Sequence, residues 1–432
     1  MKIAIAGTGY VGLVTAVCLA HCGHEVVCVD QDENKVASLK SGKAPIFETG
    51  VEELMESCKE RLSYTGDYES AYRDSHAIFI CVGTPERGDG YANLKYVFEA
   101  AEQIAQSVAT DCVVVVKSTV PIGTNDKLEK LFHAQTTNSV SIHVASNPEF
   151  LSQGTAVHDM LHGARIVIGV ENEYCENILR QVYVGFDSQL VVTDRRTAEM
   201  IKYASNNFLA LKISFINEIA NLCEMVDADV ETVAYGMGLD SRIGDKFLRS
   251  GIGYGGSCFP KDTKALHWLA KYHDYEIKTV KAAIEVNENQ KLKLIKKARK
   301  YYKSLEGLTV AVLGLTFKPD TDDLRDAPSL QNVPILLDDG AIVKVWDSAG
   351  SENFKALYPN EVNYCSSIEN ALEGADICFI LTEWKEVREF ELRKYADLMR
   401  RAVVIDGRNC YSLEDARNAG IIYDSIGRKI VM

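Results

Sequence analysis

The stretch "KIAIAGTGYVG", residues 2–12, decides how the rest of the sequence is interpreted. Its apolar run predicts a strand over residues 2–7, and its glycines open a helical stretch that ends at Gly23. A second apolar run, "EVVCVD" at residues 25–30, predicts another strand. Because a strand, a helix and a strand in this order are typical of a parallel sheet, the N-terminus predicts an α/β domain.

The glycines of this stretch have the spacing of a phosphate-binding turn. Gly7, Gly9 and Gly12 form a GxGxxG pattern, which is weak alone but here follows a predicted strand and opens a predicted helix. Gly7 permits a tight turn, Gly9 lets a pyrophosphate approach the backbone, and Gly12 lets helix and strand pack closely. Asp30 would accept hydrogen bonds from both ribose hydroxyls and repel a 2'-phosphate, and Lys35 could reach the adenosine ribose. The pattern predicts an NAD site; the alternative is a glycine turn without a ligand.

The order of elements predicts three domains. Apolar runs at 77–83, 113–118, 143–148 and 164–170 continue the first series of strands. From Thr197 a long helical stretch without Gly or Pro begins, and helical patterns continue to about Lys300. A second alternation follows, with strands predicted at 308–315, 341–347, 375–382 and 402–409. Its first turn, "GLTFKP", lacks the glycine triad, so we do not expect it to hold a second dinucleotide in the same manner.

The predicted fold is therefore α/β, with two Rossmann-like, doubly wound parallel-sheet domains joined by a helical middle domain with a long central helix. We expect an NAD-binding domain at residues 1–196, a helical central and dimerisation domain at 197–300, and a second Rossmann-like domain at 301–432.

Composition excludes several classes of function. The chain has 432 residues, 47% of them hydrophobic and 25% charged, as in ordinary soluble globular proteins. Its formal net charge of -14 argues against a nucleic acid or an anionic membrane as the main partner. No apolar run reaches membrane-spanning length, and the apolar N-terminus is interrupted by glycines, unlike a signal peptide. We expect a cytoplasmic protein.

The 12 cysteines show no CxxC pair, so no metal site is predicted. Cys81, Cys112 and Cys378 lie in apolar segments and are interpreted as core residues of a protein in a reducing compartment.

Polar residues follow three of the predicted strands, at the sheet edge where ligands of parallel sheets bind. Thr84 lies in "VGTP", Thr119 in "KSTVPIGT" and Glu149 in "NPEFL". Each could simply cap a helix, but three such loops at one edge favour a site.

The long helix carries Lys202 and Asn206 four residues apart, hence on one face. They are either a solvated pair or a pair at the boundary of a site. A neighbouring face is expected to be buried because it is apolar, at Ile201, Ala204, Phe208 and Leu211.

The stretch "GIGYGGSCFPKD", residues 251–262, places a thiol in a glycine-rich loop. The glycines let a ligand approach the backbone near Cys258, and Lys261 increases the thiolate fraction. The stretch is also a plausible helix start, with Pro260 in the first turn, and a helix N-terminus itself favours a thiolate. A reactive cysteine beside a nicotinamide cofactor suggests oxidation beyond the aldehyde, through a thiohemiacetal and a thioester.

Several motifs together resemble one family along essentially the whole chain: "GTGYVG", "VGTP", "KSTVPIGT", "NPEFL", "KYASNNFLALKISFINE", "GYGGSCFPKD" and "LGLTFKPDTDDLRDAPS". The sequence resembles the UDP-glucose/GDP-mannose dehydrogenase family. The resemblance implies a four-electron oxidation in which UDP-glucose and two NAD+ give UDP-glucuronate and two NADH. It also implies a homo-oligomer, with a dimer as the expected size, built through the long helix.

The resemblance further implies roles for individual residues. The catalytic set would be Cys258 as nucleophile, with Lys202, Asn206, Asp262, Thr119 and Glu149. The cofactor-binding set would be Gly7, Gly9, Tyr10, Val11, Gly12, Asp30, Lys35, Thr84, Thr119, Glu149, Lys261 and Arg325. The substrate-binding set would be Glu149, Phe150, Leu151, Lys202, Asn206, Arg242, Phe247, Leu248, Arg249, Ser250, Gly251, Gly255 and Lys318, with Arg242 reaching a neighbouring subunit's site.

Other functions stay open. GDP-mannose oxidation would use the same chemistry and a similar cysteine motif. Family members that act on N-acetylated UDP-sugars tend to have histidine before the cysteine, where this chain has Ser257. A non-catalytic NAD-binding regulatory protein would not need Cys258, Lys202 and Asp262. A hydroxyacid dehydrogenase would stop after one NADH.

Overall fold

The computed structural model describes residues 1–136 and 140–432. The chain forms two compact units, residues 1–205 and 206–432.

The first unit is built on a sheet of eight strands within the described residues, in the order β3-β2-β1-β4-β5-β6-β7-β8. Neighbouring strands are parallel except β6 and β7, which meet antiparallel at the single pair Ser146 and Gly169. The first six strands have the strand order of a dinucleotide-binding sheet, which reverses direction between β1 and β4. The strands are β1 (Lys2–Ala6), β2 (Glu25–Val29), β3 (Leu62–Thr65), β4 (Ala77–Ile80), β5 (Cys112–Val116), β6 (Ile142–Ser146), β7 (Arg165–Gly169) and β8 (Gln189–Thr193).

Helices cover both faces of this sheet. Along β1, Ile3 and Ile5 pack into one apolar cluster with α1, while Ala4 and Ala6 pack into a second cluster with α5. Alternate residues of a strand point to opposite faces, so a strand that is covered on both sides becomes a continuous apolar run. The helices are α1 (Tyr10–His21), α2 (Glu33–Lys40), α3 (Val51–Ser57), α4 (Tyr68–Tyr72), α5 (Lys95–Ser107), α6 (Thr124–Gln135), α7 (Ala156–His162) and α8 (Glu173–Val182).

The second unit contains a parallel sheet of six strands in the part of the chain that is described, in the order β11-β10-β9-β12-β13-β14. This order repeats that of the first six strands of the other sheet, which confirms the prediction of two doubly wound domains. The strands are β9 (Thr309–Leu313), β10 (Ile342–Trp346), β11 (Asn363–Tyr364), β12 (Ile377–Ile380), β13 (Val403–Asp406) and β14 (Ile422–Ser425). The helices of this unit are α10 (Val230–Gly238), α11 (Phe259–Tyr272), α12 (Lys278–Lys291), α13 (Lys293–Tyr301), α14 (Ser329–Asp338), α15 (Ser351–Lys355), α16 (Ile368–Leu372), α17 (Lys385–Arg388), α18 (Arg393–Leu398) and α19 (Leu413–Ala419).

Between the two sheets along the chain runs α9 (Arg195–Val226), a helix of 32 residues that begins in the first unit and ends in the second. The prediction of a long central helix is confirmed. The expectation that Ala204 and Phe208 lie on a buried face was wrong, because both side chains are exposed. Lys202 and Asn206 are buried instead. Their burial is tolerated because each hydrogen-bonds to a carboxylate within its own unit. An apolar helix face predicts burial only when something in the same chain covers it.

No helix in residues 1–136 and 140–432 has the length and hydropathy needed to cross a bilayer. All twelve cysteines lie in the described residues and none of them forms a disulfide, and Cys81, Cys112 and Cys378 are buried as predicted.

Candidate active site

The turn between β1 and α1 has the geometry that its glycines predict. Gly7 has φ of +95°, a conformation that a residue with a side chain rarely adopts. A Cβ on Gly12 would lie 1.9 Å from the carbonyl oxygen of Gly7, so only glycine lets α1 start this close to the turn. A Cβ on Gly9 would meet nothing within 4 Å, so Gly9 faces open space at the N-terminus of a 12-residue helix. That space can hold a phosphate group.

Asp30 follows β2 and is fixed by hydrogen bonds to the turn. Its Oδ2 accepts from the backbone N–H of Thr8 at 2.9 Å and from the Thr8 hydroxyl at 2.6 Å, while Oδ1 accepts from the N–H of Asp32 at 3.0 Å. Burial raises the pKa of Asp30, but these hydrogen bonds and the charge of Lys35 outweigh it, so the net pKa is lowered. The carboxylate is therefore held ionised, and Oδ1 keeps capacity for a hydrogen bond from a ribose hydroxyl.

Tyr10, the first residue of α1, connects the turn to a loop that the sequence did not single out. Its hydroxyl donates to Glu48, and the N–H groups of Gly154 and Ala156 donate to the same carboxylate. Val11 follows on α1, and its carbonyl accepts from the Thr15 hydroxyl at 2.7 Å. The loop with Glu48 therefore braces the start of α1 and the loop after β6.

The loops after β4 and β5 are joined at their ends. The Thr84 hydroxyl donates to the carbonyl of Thr119 at 2.9 Å, and the Ser118 hydroxyl donates to the carbonyl of Val82 at 2.7 Å. Thr84 is therefore not a helix cap; it fixes one predicted site loop to the next.

Glu149 and Lys202 form a buried ion pair in the first unit. Lys202 Nζ donates to Glu149 Oε1 at 2.8 Å, and the N–H of Leu151 donates to Oε2 at 2.7 Å. Burial raises the pKa of Glu149, but the charge and hydrogen bond of Lys202 outweigh it, with further help from Leu151 and Lys117, so the net pKa is lowered. The pair is thus a carboxylate and an ammonium shielded from water.

Two cationic side chains lie over the ring of Phe150, the residue between Glu149 and Leu151 in the sequence. The guanidinium carbon of Arg165 lies 3.9 Å from the ring centroid and Lys202 Nζ lies 5.5 Å from it. The aromatic face thus helps to orient the lysine that pairs with Glu149.

In the second unit, Cys258 is the N-terminal cap residue of α11, with Pro260 in the first turn. Its carbonyl accepts the helical hydrogen bond from Asp262, and its side chain is partly exposed. The interpretation as a helix start is thus confirmed, and it places the thiol at the positive end of a 14-residue helix.

Asp262 is buried and holds the side chains around it. Its Oδ2 accepts from Asn206 Nδ2 at 2.7 Å, and its Oδ1 accepts from Lys261 Nζ at 2.7 Å. Asn207 donates to the carbonyl of Asp262 at 3.3 Å. The Lys261 ammonium, which the sequence predicts to lie near the Cys258 thiol, therefore pairs with the Asp262 carboxylate.

The loop at residues 247–251 is held by side chains from several elements. Gly251 donates its N–H to Asn217 Oδ1 at 2.8 Å and accepts at its carbonyl from Gln290 Nε2 at 2.7 Å. Its other predicted site residues are the exposed Phe247, the buried Leu248 and Ser250, and Arg249, which donates to the carbonyl of Arg408.

The glycines before Cys258 pack against the loop after β9. A Cβ on Gly255 would lie 2.4 Å from the carbonyl oxygen of Asp326, and the N–H of Gly256 donates to the carbonyl of Arg325 at 2.7 Å. The same loop carries Lys318, whose ammonium lies 5.8 Å from the Phe317 ring centroid. The structure therefore brings the cysteine loop together with the loop that bears Lys318 and Arg325.

Arg325 and Arg242 differ in their surroundings. Arg325 forms a bidentate ion pair with Asp323, and the hydrogen bond raises the pKa of the guanidinium. Arg242 is almost fully exposed, and its guanidinium pairs with Asp240.

Comparisons with known proteins identify the family of the chain. The chain matches family descriptions of the NAD binding domain (residues 1–187), central domain (196–289) and UDP binding domain (311–413) of UDP-glucose/GDP-mannose dehydrogenases. It is 49% identical over 434 residues to the UDP-glucose 6-dehydrogenase YwqF of Bacillus subtilis, with 100% of this chain and 99% of that protein covered. A UDP-glucose 6-dehydrogenase of Rhizobium meliloti is 46% identical over 438 residues, covering 99% and 100%. The chain belongs to the UDP-glucose/GDP-mannose dehydrogenase family.

Solved structures of the family have the same fold. A UDP-glucose dehydrogenase from Pyrobaculum islandicum superposes with a TM-score of 0.93 at 38% identity, over 99% of this chain and 98% of the other. A UDP-D-ManNAc dehydrogenase from Pyrococcus horikoshii gives 0.87 at 28% identity, over 99% of each chain.

In this family member the second sheet uses its own aspartate differently from the first. Asp347 follows β10 as Asp30 follows β2. Its carboxylate accepts from the N–H groups of Thr316, Ala349 and Gly350 and from the indole of Trp384. The fold itself therefore occupies the carboxylate at this position.

Some residues of the first unit escaped the sequence analysis. Lys117 and Asn147 flank the predicted Thr119 and Glu149 and are buried, with Lys117 Nζ donating to Asn147 Oδ1 at 3.0 Å. Both lie inside quoted motifs, so a lysine directly after an apolar strand was an available signal. Arg165 and Glu48 lie in no motif, and only folding places them beside Phe150 and Tyr10.

Proposed function

We propose that this chain oxidises C6 of UDP-glucose to the carboxylate of UDP-glucuronate, reducing two NAD+ for each sugar nucleotide. The observation that carries the proposal is Cys258 at the N-terminus of α11, in a loop of glycines and one turn from the buried Asp262. An alcohol dehydrogenase that stops at the aldehyde has no need of such a thiol. The names of the curated relatives support the choice of substrate.

The turn between β1 and α1 suits NAD. The space at Gly9 would admit the pyrophosphate, and Asp30 would bind the ribose with Lys35 beside it. When bound, NAD+ accepts a hydride from the carbon that is oxidised. We assign further cofactor contacts to Tyr10, Val11, Thr84, Lys261 and Arg325.

The thiol would act after the first oxidation. The sulfur of Cys258 forms a bond to the aldehyde carbon and gives a thiohemiacetal, whose oxygen takes up a proton. Loss of a hydride from that carbon to a second NAD+, together with loss of the proton from its oxygen, would leave a thioester. Water then attacks the thioester carbonyl, the carbon–sulfur bond breaks, and the thiolate and the acid are released. The aldehyde stays covalently held from its capture until hydrolysis.

Polar side chains would support these steps. Asn206 and Lys202 would donate hydrogen bonds to oxygen as negative charge develops on it. Asp262, Thr119 and Glu149 would orient these donors and the hydrolytic water. Glu149 and Lys202 already hydrogen-bond to each other, as do Asn206 and Asp262, so little reorganisation of these side chains is needed.

The sugar nucleotide would be held by the loop at residues 247–251. Gly255 would admit the bulky ligand, and Lys318 would offer its charge to the diphosphate. The family resemblance also assigns substrate contacts to Phe150 and Leu151. We propose the division into residues 1–196, 197–300 and 301–432 for the NAD-binding, central and UDP-sugar-binding domains.

A homodimer is the proposed assembly. Phe208, Phe215 and Leu222 lie seven residues apart on α9 and are 61%, 45% and 54% exposed. Residues at this spacing share one helix face, and Tyr235 on α10 and Leu239 directly after it add further exposed apolar surface. A patch of this kind favours a second copy of the chain as its partner. Arg242 would then reach the site of the partner.

A comparison of substrates tests the proposal. The rate of NADH formation is measured separately with UDP-glucose, GDP-mannose and UDP-N-acetylglucosamine over the same range of concentrations. The proposal predicts the highest kcat/KM for UDP-glucose. A higher kcat/KM for GDP-mannose or for the N-acetylated sugar would contradict it. Ser257→His is measured in the same way, because family members that act on N-acetylated UDP-sugars tend to have histidine at this position.

A further inference from the structure

A buried lysine beside the Glu149–Lys202 pair has no assigned role. Lys117 follows β5, is 3% exposed, and donates its Nζ hydrogen bond to Asn147 Oδ1 at 3.0 Å. Its N–H donates to the carbonyl of Ile80 at 3.0 Å, and the N–H of Asn147 donates to the carbonyl of Val116 at 2.9 Å. The hydrogen bond between the Lys117 and Asn147 side chains therefore joins the carboxyl ends of β5 and β6. Lys117 lies two residues before Thr119, and Asn147 lies two residues before Glu149.

The charge of Lys117 acts on a small set of groups. The strongest of these interactions are with Cys81, Glu149, Lys202 and Cys18. Burial raises the pKa of both thiols to about 12, so both are neutral near pH 7. Glu149 is the carboxylate among these groups, and Lys117 is one of the charges that lower its pKa.

Packing alone gives no reason for an ammonium here. The recorded partner of Lys117 Nζ is a neutral amide, and burial lowers the lysine's pKa to about 8. By contrast, the equally buried Lys297 pairs with Glu224 and Asp424. Asn147 Oδ1 also accepts from the Tyr183 hydroxyl, so it would keep a partner without the lysine. A buried charge that is held without an ion pair lowers stability relative to an apolar side chain of the same shape, which points to a role in the reaction.

We propose that Lys117 is a positioning residue whose buried positive charge keeps Glu149 ionised, and thereby keeps the Glu149–Lys202 pair in place for catalysis. The inference rests on the proposed function only in the roles that it gives to Glu149 and Lys202. The cluster of Lys117, Lys202 and Glu149 has one positive charge in excess, so protonation of the carboxylate is disfavoured by two neighbouring cations.

Two variants separate the charge of Lys117 from its hydrogen bond. Lys117→Gln keeps a donor toward Asn147 and removes the charge, whereas Lys117→Met removes both. Lys130→Gln, at an exposed position on α6, makes the same change in net charge as Lys117→Gln and is the matched control. Both Lys117 variants should fold, because Tyr183 still donates to Asn147. Thermal unfolding checks this. If Lys117→Met is unstable, the result with Lys117→Gln decides the test.

Two quantities are measured. The first is the midpoint of the acid limb in the pH profile of kcat/KM with UDP-glucose. The second is the pH titration of the Glu149 carboxyl carbon-13 NMR signal, which is assigned by the absence of that signal in Glu149→Gln. We expect both Lys117 variants to move the midpoint to higher pH by about one unit and Lys130→Gln to leave it unchanged. A shift in the Met variant alone would assign the effect to the hydrogen bond and overturn the proposal, as would no shift or an equal shift in the control. The NMR titration needs no turnover, so it decides the role of Lys117 even if UDP-glucose is not the substrate.

Discussion

Lys202 Nζ lies 2.8 Å from Glu149 Oε1, and both side chains are buried. One residue lies on α9 and the other follows β6, 53 positions apart along the chain. A buried ion pair contributes little net stability, because the desolvation of two charges offsets much of their attraction. The presence of two buried charges inside the first unit is better explained by the chemistry proposed for this site.

Removing one partner of this pair should destabilise the fold more than removing both. Lys202→Met leaves the buried Glu149 carboxylate without its ion-pair partner, with only the Leu151 N–H and the charge of Lys117 to offset its burial, so we expect a loss of about 3 kcal/mol in the free energy of unfolding at pH 7. The double variant Lys202→Met with Glu149→Gln should lose less. Urea unfolding of the three proteins checks this, and a double variant less stable than Lys202→Met would contradict it.

The pair also gives stability a dependence on pH. The pKa of Glu149 is lowered in the fold, so its contribution is present above the unfolded value and is lost as pH falls through the folded value. Lys202→Met raises the pKa of Glu149, because burial then opposes ionisation with less compensation. The stability that is lost on acidification should therefore be smaller in this variant than in the wild-type protein, which urea unfolding at a series of pH values measures.

Gly9 and Gly12 should respond differently to the same substitution. Gly12→Ala places a Cβ 1.9 Å from the Gly7 carbonyl oxygen, and we expect a loss of about 3 kcal/mol or more in stability. Gly9→Ala meets nothing within 4 Å, so the fold should hold while KM for NAD+ rises about tenfold or more. Thermal unfolding and NAD+ titration separate the two effects. Normal NAD+ affinity in a folded Gly9→Ala protein would show that the phosphates bind elsewhere.

Asp30→Asn should weaken NAD+ binding without unfolding the turn. An amide oxygen can still accept from Thr8, but the charged acceptor for the ribose is lost. A hydrogen bond to a charged group contributes about 1.5–3 kcal/mol, so the affinity for NAD+ should fall about ten- to hundredfold. The preference over NADP+ should also shrink, because a repulsive charge is gone. Asp74→Asn, at an exposed position of the same unit, should change neither affinity, and equal losses in the two variants would contradict the assignment.

The apolar face of α9 predicts the oligomeric state. Phe215→Asp places a charge on the proposed interface and should convert a dimer to a monomer. Leu357→Asp, which changes an exposed leucine away from this face, is the control. Light scattering after size-exclusion chromatography gives the masses. A dimer that persists in Phe215→Asp, or a wild-type monomer, would refute this interface.

The central strands of both sheets could be predicted from the sequence, whereas the edge strands were not identified. β4 and β5 are buried along their whole length, and both faces require apolar residues, so the signal is a continuous run. The edge strands β3 and β8 are partly exposed and contain polar residues, and β11 has two residues. A short edge strand resembles a loop in sequence, because half of its surroundings are solvent.

The site was predictable where a backbone constraint required a residue type. Gly7 and Gly12 are required by a positive φ and a close approach, and Asp30 by the end of β2. The exposed face at Phe208 was misjudged, since a helix that binds a partner has the same periodicity as one that is covered by its own chain. The contact between Arg165 and Phe150 could not be foreseen, because it depends on packing between distant segments.

The number of NADH molecules formed per molecule of limiting UDP-glucose tests the central claim most directly. The account predicts two for the wild-type protein. Cys258→Ala should form no UDP-glucuronate, because no thioester can form, while its thermal-unfolding midpoint stays close to that of the wild type. One NADH per UDP-glucose, or full oxidation by Cys258→Ala, would show that the thiol at the N-terminus of α11 is not the nucleophile.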